Sequence, residues 1–125
     1  MSVFSDIDSN AWVASNELAF AIRDGFPVTS GHVLVIPKRE VADWFDATPQ
    51  ERQALLELVD KVKSSLDASE DPPDGYNIGM NLGAAAGQTV FHLHLHVIPR
   101  RYGDVADPRG GVRHVIPDKG NYLDD

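Results

Sequence analysis

At 125 residues, 42% hydrophobic and 24% charged, the chain has the composition of one globular domain that buries roughly two thirds of its unfolded surface, and it leaves no room for a second full domain. Eleven Lys+Arg against 19 Asp+Glu give a net charge of −8, which repels polyanions at long range and argues against a nucleic-acid partner. No apolar run approaches the ~18 residues that cross a bilayer, no basic and apolar leader opens the chain and cysteine is absent. The expectations are therefore no membrane partner, a cytoplasmic location, and chemistry without disulfides, thiol nucleophiles or Cys-held zinc.

In chain order, Trp12-Val13-Ala14 and the run Leu18-Ala19-Phe20-Ala21-Ile22-Arg23 read as a hairpin, the second strand closed by Asp24-Gly25 and broken at Phe26-Pro27. His32-Val33-Leu34-Val35-Ile36, rich in β-branched residues, is the next strand, stopped by Pro37. Val41, Trp44 and Phe45 suggest a short helical turn. Thr48-Pro49-Gln50-Glu51 then carries the start of a helix: Thr48 as N-cap, Pro49 at the first position and Glu51 to complete a capping box. Leu55, Leu58, Val59, Val62 and Leu66 follow at helical spacing, opposite Arg52, Glu57, Lys61 and Lys63. After a Pro/Gly loop at 71–75, Tyr76, Ile78, Met80 and Leu82 alternate with Asn77, Gly79 and Asn81, the pattern of a half-buried strand. A small-residue loop at 83–89 leads to a last alternating strand over 91–98, ended by Pro99, and the stretch from Asp104 onward reads as an irregular tail.

His92-Leu93-His94-Leu95-His96 holds three of the five histidines at i, i+2 and i+4. On a strand this spacing places the imidazoles in a row on one face, with Phe91, Leu93, Leu95 and Val97 on the other. Three readings compete. A solvated face would more commonly use Thr, Lys or Glu. One tetrahedral ion would struggle to take all three imidazoles, because the outer pair of an extended strand lies about 13 Å apart. Nucleophilic histidine explains more, since a neutral imidazole can attack phosphorus to give a phosphohistidine that water later opens. A same-face neighbour and backbone N–H groups of the glycine-rich loop at 83–89 could then hold phosphate oxygens.

The run Gly87-Gln88-Thr89-Val90-Phe91-His92-Leu93-His94-Leu95-His96-Val97-Ile98 closely resembles the signature of the histidine triad (HIT) family of nucleotidyl hydrolases and transferases. The resemblance extends to Leu18-Ala19-Phe20, Asp24, Gly31-His32-Val33-Leu34-Val35-Ile36-Pro37-Lys38 and Asn77-Ile78-Gly79, which covers most of residues 16–100, and Asp107-Pro108-Arg109-Gly110-Gly111-Val112-Arg113 resembles bacterial members. It implies an α+β fold, an antiparallel β-sheet with one main amphipathic helix and a short helix, paired about a two-fold axis as a homodimer. The HIT domain would span 1–103, and the tail, 104–125, would pack on the same domain or on its dimer partner.

Carried over residue by residue, the resemblance implies that His94 attacks the α-phosphorus of a nucleotide substrate. His96, with Gln88 or Thr89, would bind the phosphate oxygens; His92 would orient His94, and His32 would approach the triad. Asp24 would bind the ribose hydroxyls, Asn81 would lie near the α-phosphate and leaving group, and Gly87 would belong to the substrate-binding loop. Many relatives hold a structural zinc through cysteines near the N-terminus, and Ser5-Asp6-Ile7-Asp8-Ser9 has none. No metal site and no cofactor for the chemical step are expected, Mg²⁺ entering only with a polyphosphate substrate. Val97-Ile98-Pro99-Arg100 resembles the dinucleoside polyphosphate hydrolases of the family more than its nucleoside phosphoramidases. Lys38, Arg39, Arg100, Arg101, Arg109 and Arg113, flanking the segments expected to frame the pocket, favour a charged polyphosphate leaving group. A metal-binding regulator and a catalytically idle nucleotide sensor are the rival classes.

Overall fold

A computed structural model describes residues 2–123; Asp124 and Asp125, the end of the expected tail, lie outside the described residues. Five antiparallel strands form one sheet in the order β1-β2-β3-β5-β4: β1 is Trp12–Ser15, β2 Ala19–Arg23, β3 Val33–Pro37, β4 Gly75–Gly79 and β5 Leu95–Arg100. One helix, α1 (Pro49–Asp67), covers one face. It begins as its sequence dictates. The Thr48 hydroxyl accepts the Glu51 N–H at 3.0 Å, the Glu51 carboxylate accepts the Thr48 N–H at 2.9 Å, and Pro49, which has no N–H to orphan, occupies the first turn. Glu51 is buried and also takes two hydrogen bonds from Arg39, so the helix start is fastened to the segment leaving β3. The expected short helix is a single 3-10 turn, Trp44–Asp46, opened by the Asp43 carboxylate accepting the Phe45 N–H.

The runs in β2 and β3 are apolar on both faces because both faces are covered. Ala19, Ala21, Val33 and Val35 pack with Leu55, Leu58 and Val62 of α1 and with Leu93, Leu95 and Val97. Phe20, Ile22, Leu34 and Ile36 point the other way and are covered by Phe4, with Ile7 and Trp12 alongside. The N-terminal segment therefore does for one face what α1 does for the other. No helix among the described residues is long and apolar enough to cross a membrane.

Two strands differ from the alternation pattern. β4 ends at Gly79, so Met80 and Leu82 reach the core from outside the ladder, and Ile78 stands exposed on this edge strand. β5 starts at Leu95 instead of Phe91 and runs through Pro99 to Arg100. Proline is tolerated there because β3 pairs with β5 only over Leu95 to Val97, so at Pro99 the strand has a single neighbour, β4. Residues 91–94 lie before the ladder, and Phe91 is exposed instead of packed. The tail carries one 3-10 turn, Gly111–Val115, and it returns along β4 and β5 of its own chain beside Asn77 and Arg100. It crosses itself at Gly110, whose φ is +98° and whose position would put any Cβ 2.3 Å from the Gly120 carbonyl oxygen.

Candidate active site

On the face away from α1, a cavity of about 1030 Å³ opens between the sheet and the N-terminal segment. Phe4, Trp12, Ile22 and Leu34 give it an apolar wall; Asp24, Asn81, Thr89, His94 and His96 bring polar groups to it. Few convergent polar groups in a largely apolar concavity is the usual make-up of a small-molecule site.

His94 and His96 project from β5 and the residue before it into this cavity, their rings 5.2 Å apart. The Nδ1 of His94 lies 2.8 Å from the His92 backbone carbonyl. A carbonyl only accepts, so Nδ1 carries a proton, and in the neutral ring the lone pair lies on Nε2. That is the state a nucleophile requires. The His92 side chain is fully buried and makes no ring contact with His94; its Nε2 donates to the Pro37 carbonyl at 2.7 Å and its Nδ1 meets the Ser2 hydroxyl. The imidazole row is thus a pair, and His92 reaches His94 through its carbonyl.

His32 does join the pair. Its Nδ1 accepts the Val28 N–H at 3.2 Å, so its proton sits on Nε2, which lies 2.9 Å from His96 Nδ1 and 3.3 Å from Asp24 Oδ2. His96 Nδ1 therefore accepts, and its own N–H is on Nε2. Burial holds both His32 and His96 below the ordinary imidazole range; the Asp24 carboxylate opposes the shift in each, and His94 and His32 add to it at His96. Asp24 itself closes the turn after β2 by accepting the Phe26 N–H at 2.8 Å.

The loop at 83–89 behaves differently from expectation. Gln88 is buried and turned inward: its amide donates to the Ala42 and Val90 carbonyls and its carbonyl accepts the Gly83 N–H. It braces the loop, leaving Thr89 and Gly87 on the cavity. The N–H groups of Ala86, Gly87 and Gln88 are bonded within the loop, so they are not the anion cradle that its small residues suggest. None of the six cations expected to frame the pocket lines it. Arg39 is held by Glu51, Arg100 by Asp104, Arg101 by Asp71 and Arg109 by Asp107; Arg113 donates to the Gly120 carbonyl, and Lys38 sits over the Trp12 ring. Arg23 is the one Lys or Arg among the described residues lining the cavity. Phe4 and Arg23, which line the cavity, and Ser2, which meets His92 behind it, are residues that periodicity does not reveal, since the N-terminal segment has turns and one short 3-10 helix and Arg23 merely ends a strand.

Two metal readings meet the donor chemistry. Asp24, His32 and His96 bring one ligand atom each to within 4.8 Å of one another. An ion on His32 Nε2 would force its proton onto Nδ1, against the Val28 N–H, so this arrangement fits a hydrogen-bonded relay better than a coordination sphere. The cysteine donors that the resemblance ties to a structural zinc in many relatives are also missing here. The chain has no cysteine, and the hydroxyl of Ser2 is committed to His92.

The fold and this pair of facing imidazoles define the HIT class: the HIT domain family model matches residues 6–103. The chain belongs to the HIT family. It is 42% identical over 88 residues to an uncharacterized HIT-like protein of Mycoplasma genitalium, covering 70% of this chain and 62% of that protein. It is 37% identical over 93 residues to an AP-4-A phosphorylase of Mycobacterium tuberculosis, covering 74% of this chain and 47% of the enzyme. The chain thus spans under two thirds of either relative's length. Among solved structures, a Zn-bound histidine triad family protein of Mycobacterium smegmatis superposes with a TM-score of 0.76 at 38% identity, over 85% of this chain and 79% of that one.

Proposed function

We propose that the protein is a nucleotidyl hydrolase or transferase that works through a covalent nucleotidyl-His94 intermediate. The observation that carries this reading is the Nδ1–H bond from His94 to the His92 carbonyl, which leaves Nε2 basic on the cavity beside the N–H of His96. His94 Nε2 forms a bond to the α-phosphorus as the bond from phosphorus to the leaving group breaks, that group taking the electron pair. Water or another acceptor then attacks the phosphorus from the opposite side, the P–N bond breaks and Nε2 regains its lone pair. His96 donates its Nε2–H to a non-bridging oxygen while charge accumulates there. Asp24 binds the ribose hydroxyls, and Asn81 and Thr89 line the path of the phosphates.

The substrate class proposed is a dinucleoside polyphosphate, supported by the similarity to the AP-4-A phosphorylase. Because only Arg23 among the lining cations is at hand, Mg²⁺ accompanying the substrate neutralises its polyphosphate. The scarcity of lining cations also favours a second reading, a nucleoside phosphoramidase, whose amine leaving group carries no phosphate charge. A steady-state comparison of diadenosine tetraphosphate with adenosine 5′-phosphoramidate tests both. His94→Ala should abolish turnover of either while the protein stays folded, and activity within about tenfold of wild type would remove His94 from the nucleophile's role.

A further inference from the structure

We propose that Ser2 is a positioning residue for the nucleophile: its hydroxyl locks the buried His92 ring, and with it the backbone carbonyl that receives the Nδ1–H of His94. The inference rests on the reading of His94 Nε2 as the attacking atom. The proton directions leave little freedom. The Ser2 oxygen accepts the N–H of Phe4 at 3.1 Å and that of Ser5 at 3.4 Å, so its own O–H has one remaining direction, toward His92 Nδ1. On the far side of the ring, Nε2 faces the Pro37 carbonyl at 2.7 Å, which can only accept. Both ring nitrogens are therefore committed, and a flipped ring would set C–H groups against both partners.

The lock matters because residues 91–94 precede the β5 ladder. The peptide between His92 and Leu93 is tied by the Leu93 N–H to the Val41 carbonyl at 2.7 Å, and its own carbonyl must still aim at His94. Fixing the His92 ring supplies the second anchor. The ring of Phe4 stands edge-on to both histidines, 5.7 Å from His92 and 5.1 Å from His94, so the same N-terminal turn touches anchor and nucleophile. Phe4 is buried in its own apolar cluster, which keeps the segment docked when the Ser2 hydroxyl is removed.

The experiment compares wild type, Ser2→Ala and Ser2→Thr. Steady-state kinetics on adenosine 5′-phosphoramidate are paired with long-range ¹H–¹⁵N spectra that report which nitrogen of each histidine is protonated. The expected result is a kcat lowered about tenfold in Ser2→Ala, the worth of one hydrogen bond, with KM within about twofold. His94 should lose its uniform Nδ1–H state, and Ser2→Thr should restore both. A Ser2→Ala protein with wild-type kcat and an unchanged His94 tautomer would overturn the proposal, as would a loss that Ser2→Thr does not recover while the tautomer stays fixed. If wild type itself turns over no nucleotide, the reading of His94 as nucleophile fails, and the spectra still decide whether Ser2 sets the His94 tautomer.

Discussion

The Nε2 of His32 lies 2.9 Å from the Nδ1 of His96, and this contact decides which nitrogen of His96 faces the cavity. Because the Val28 N–H fixes His32 as a donor at Nε2, His96 accepts at Nδ1 and presents an N–H outward. A hydrogen bond between turn and strand thus sets the polarity of the group that the proposed mechanism turns toward phosphate oxygens.

Activity should therefore have an acid limb below the ordinary imidazole value of about 6.5, since burial lowers both His32 and His96 and protonation of either breaks the contact between them. Asp24→Asn removes the carboxylate that raises both groups, so the limb of kcat against pH should move to still lower pH. The sign for stability follows: the unfolded chain takes up these protons first, so stability is lost as pH falls below the unfolded value. A kcat profile for Asp24→Asn that moves to higher pH would contradict this coupling.

Metal dependence should divide the substrates. The proposed nucleophile is a side chain, so a strong chelator should leave phosphoramidate cleavage intact. Diadenosine tetraphosphate hydrolysis should fall at least about tenfold on Mg²⁺ removal, because Arg39, Arg100, Arg101, Arg109 and Arg113 are held by other groups and neither they nor Lys38 line the cavity. Equal chelator sensitivity of the two reactions would count against the mechanism.

Glu51 joins the helix cap to Arg39. Glu51→Gln should cost about 1 kcal/mol, since the buried acceptor loses its charge toward an Arg39 head that is itself largely exposed. The hydrogen bonds from Arg39 hold the Glu51 carboxyl below the usual carboxylate range. Its contribution is therefore present above the unfolded carboxylate value and is lost as pH falls through the lowered one. Urea unfolding at pH 7 and near pH 3 should show the gap between wild type and variant closing in acid; a constant gap would refute the assignment.

The family resemblance leads to the expectation of a two-fold homodimer, and β4 offers a sheet edge with Ile78 exposed. Sedimentation at micromolar concentration should give twice the chain mass. Ile78→Lys should shift the equilibrium toward monomer, and a wild-type monomer would dispose of the idea.

What the sequence made legible was local. Thr48, Pro49 and Glu51 announce a helix start within four residues, and histidines at i and i+2 announce a shared face, because caps and alternation depend on neighbours alone. What it hid was partnership. Counting cations near Pro37 and Pro99 cannot show that Arg39 belongs to Glu51, 12 residues away, or Arg101 to Asp71, 30 residues away. The start of β5 lies four residues later than alternation suggests for a related reason. Residues 91–94 alternate like a strand, yet His92 turns to Ser2 and Pro37, contacts 90 and 55 residues distant in sequence. Of the two residues that the resemblance offers as phosphate ligands, Gln88 or Thr89, the sequence cannot show that the Gln88 amide serves the Ala42 and Val90 carbonyls.

β5 carries Leu95 and Val97 into the packing under α1 and His96 into the cavity on the reverse side, with Leu93 and His94 extending the same alternation upstream. The two tasks are separated by one pleat. Repacking beneath the helix can therefore proceed by volume-conserving exchanges without touching an imidazole. A slip of one residue along the strand has the opposite character, because it would press imidazoles into hydrocarbon and expose leucines to water. The placing of the two imidazoles and foldability are thus screened by the same test: a chain that misaligns this strand fails to fold before the contents of its cavity can matter.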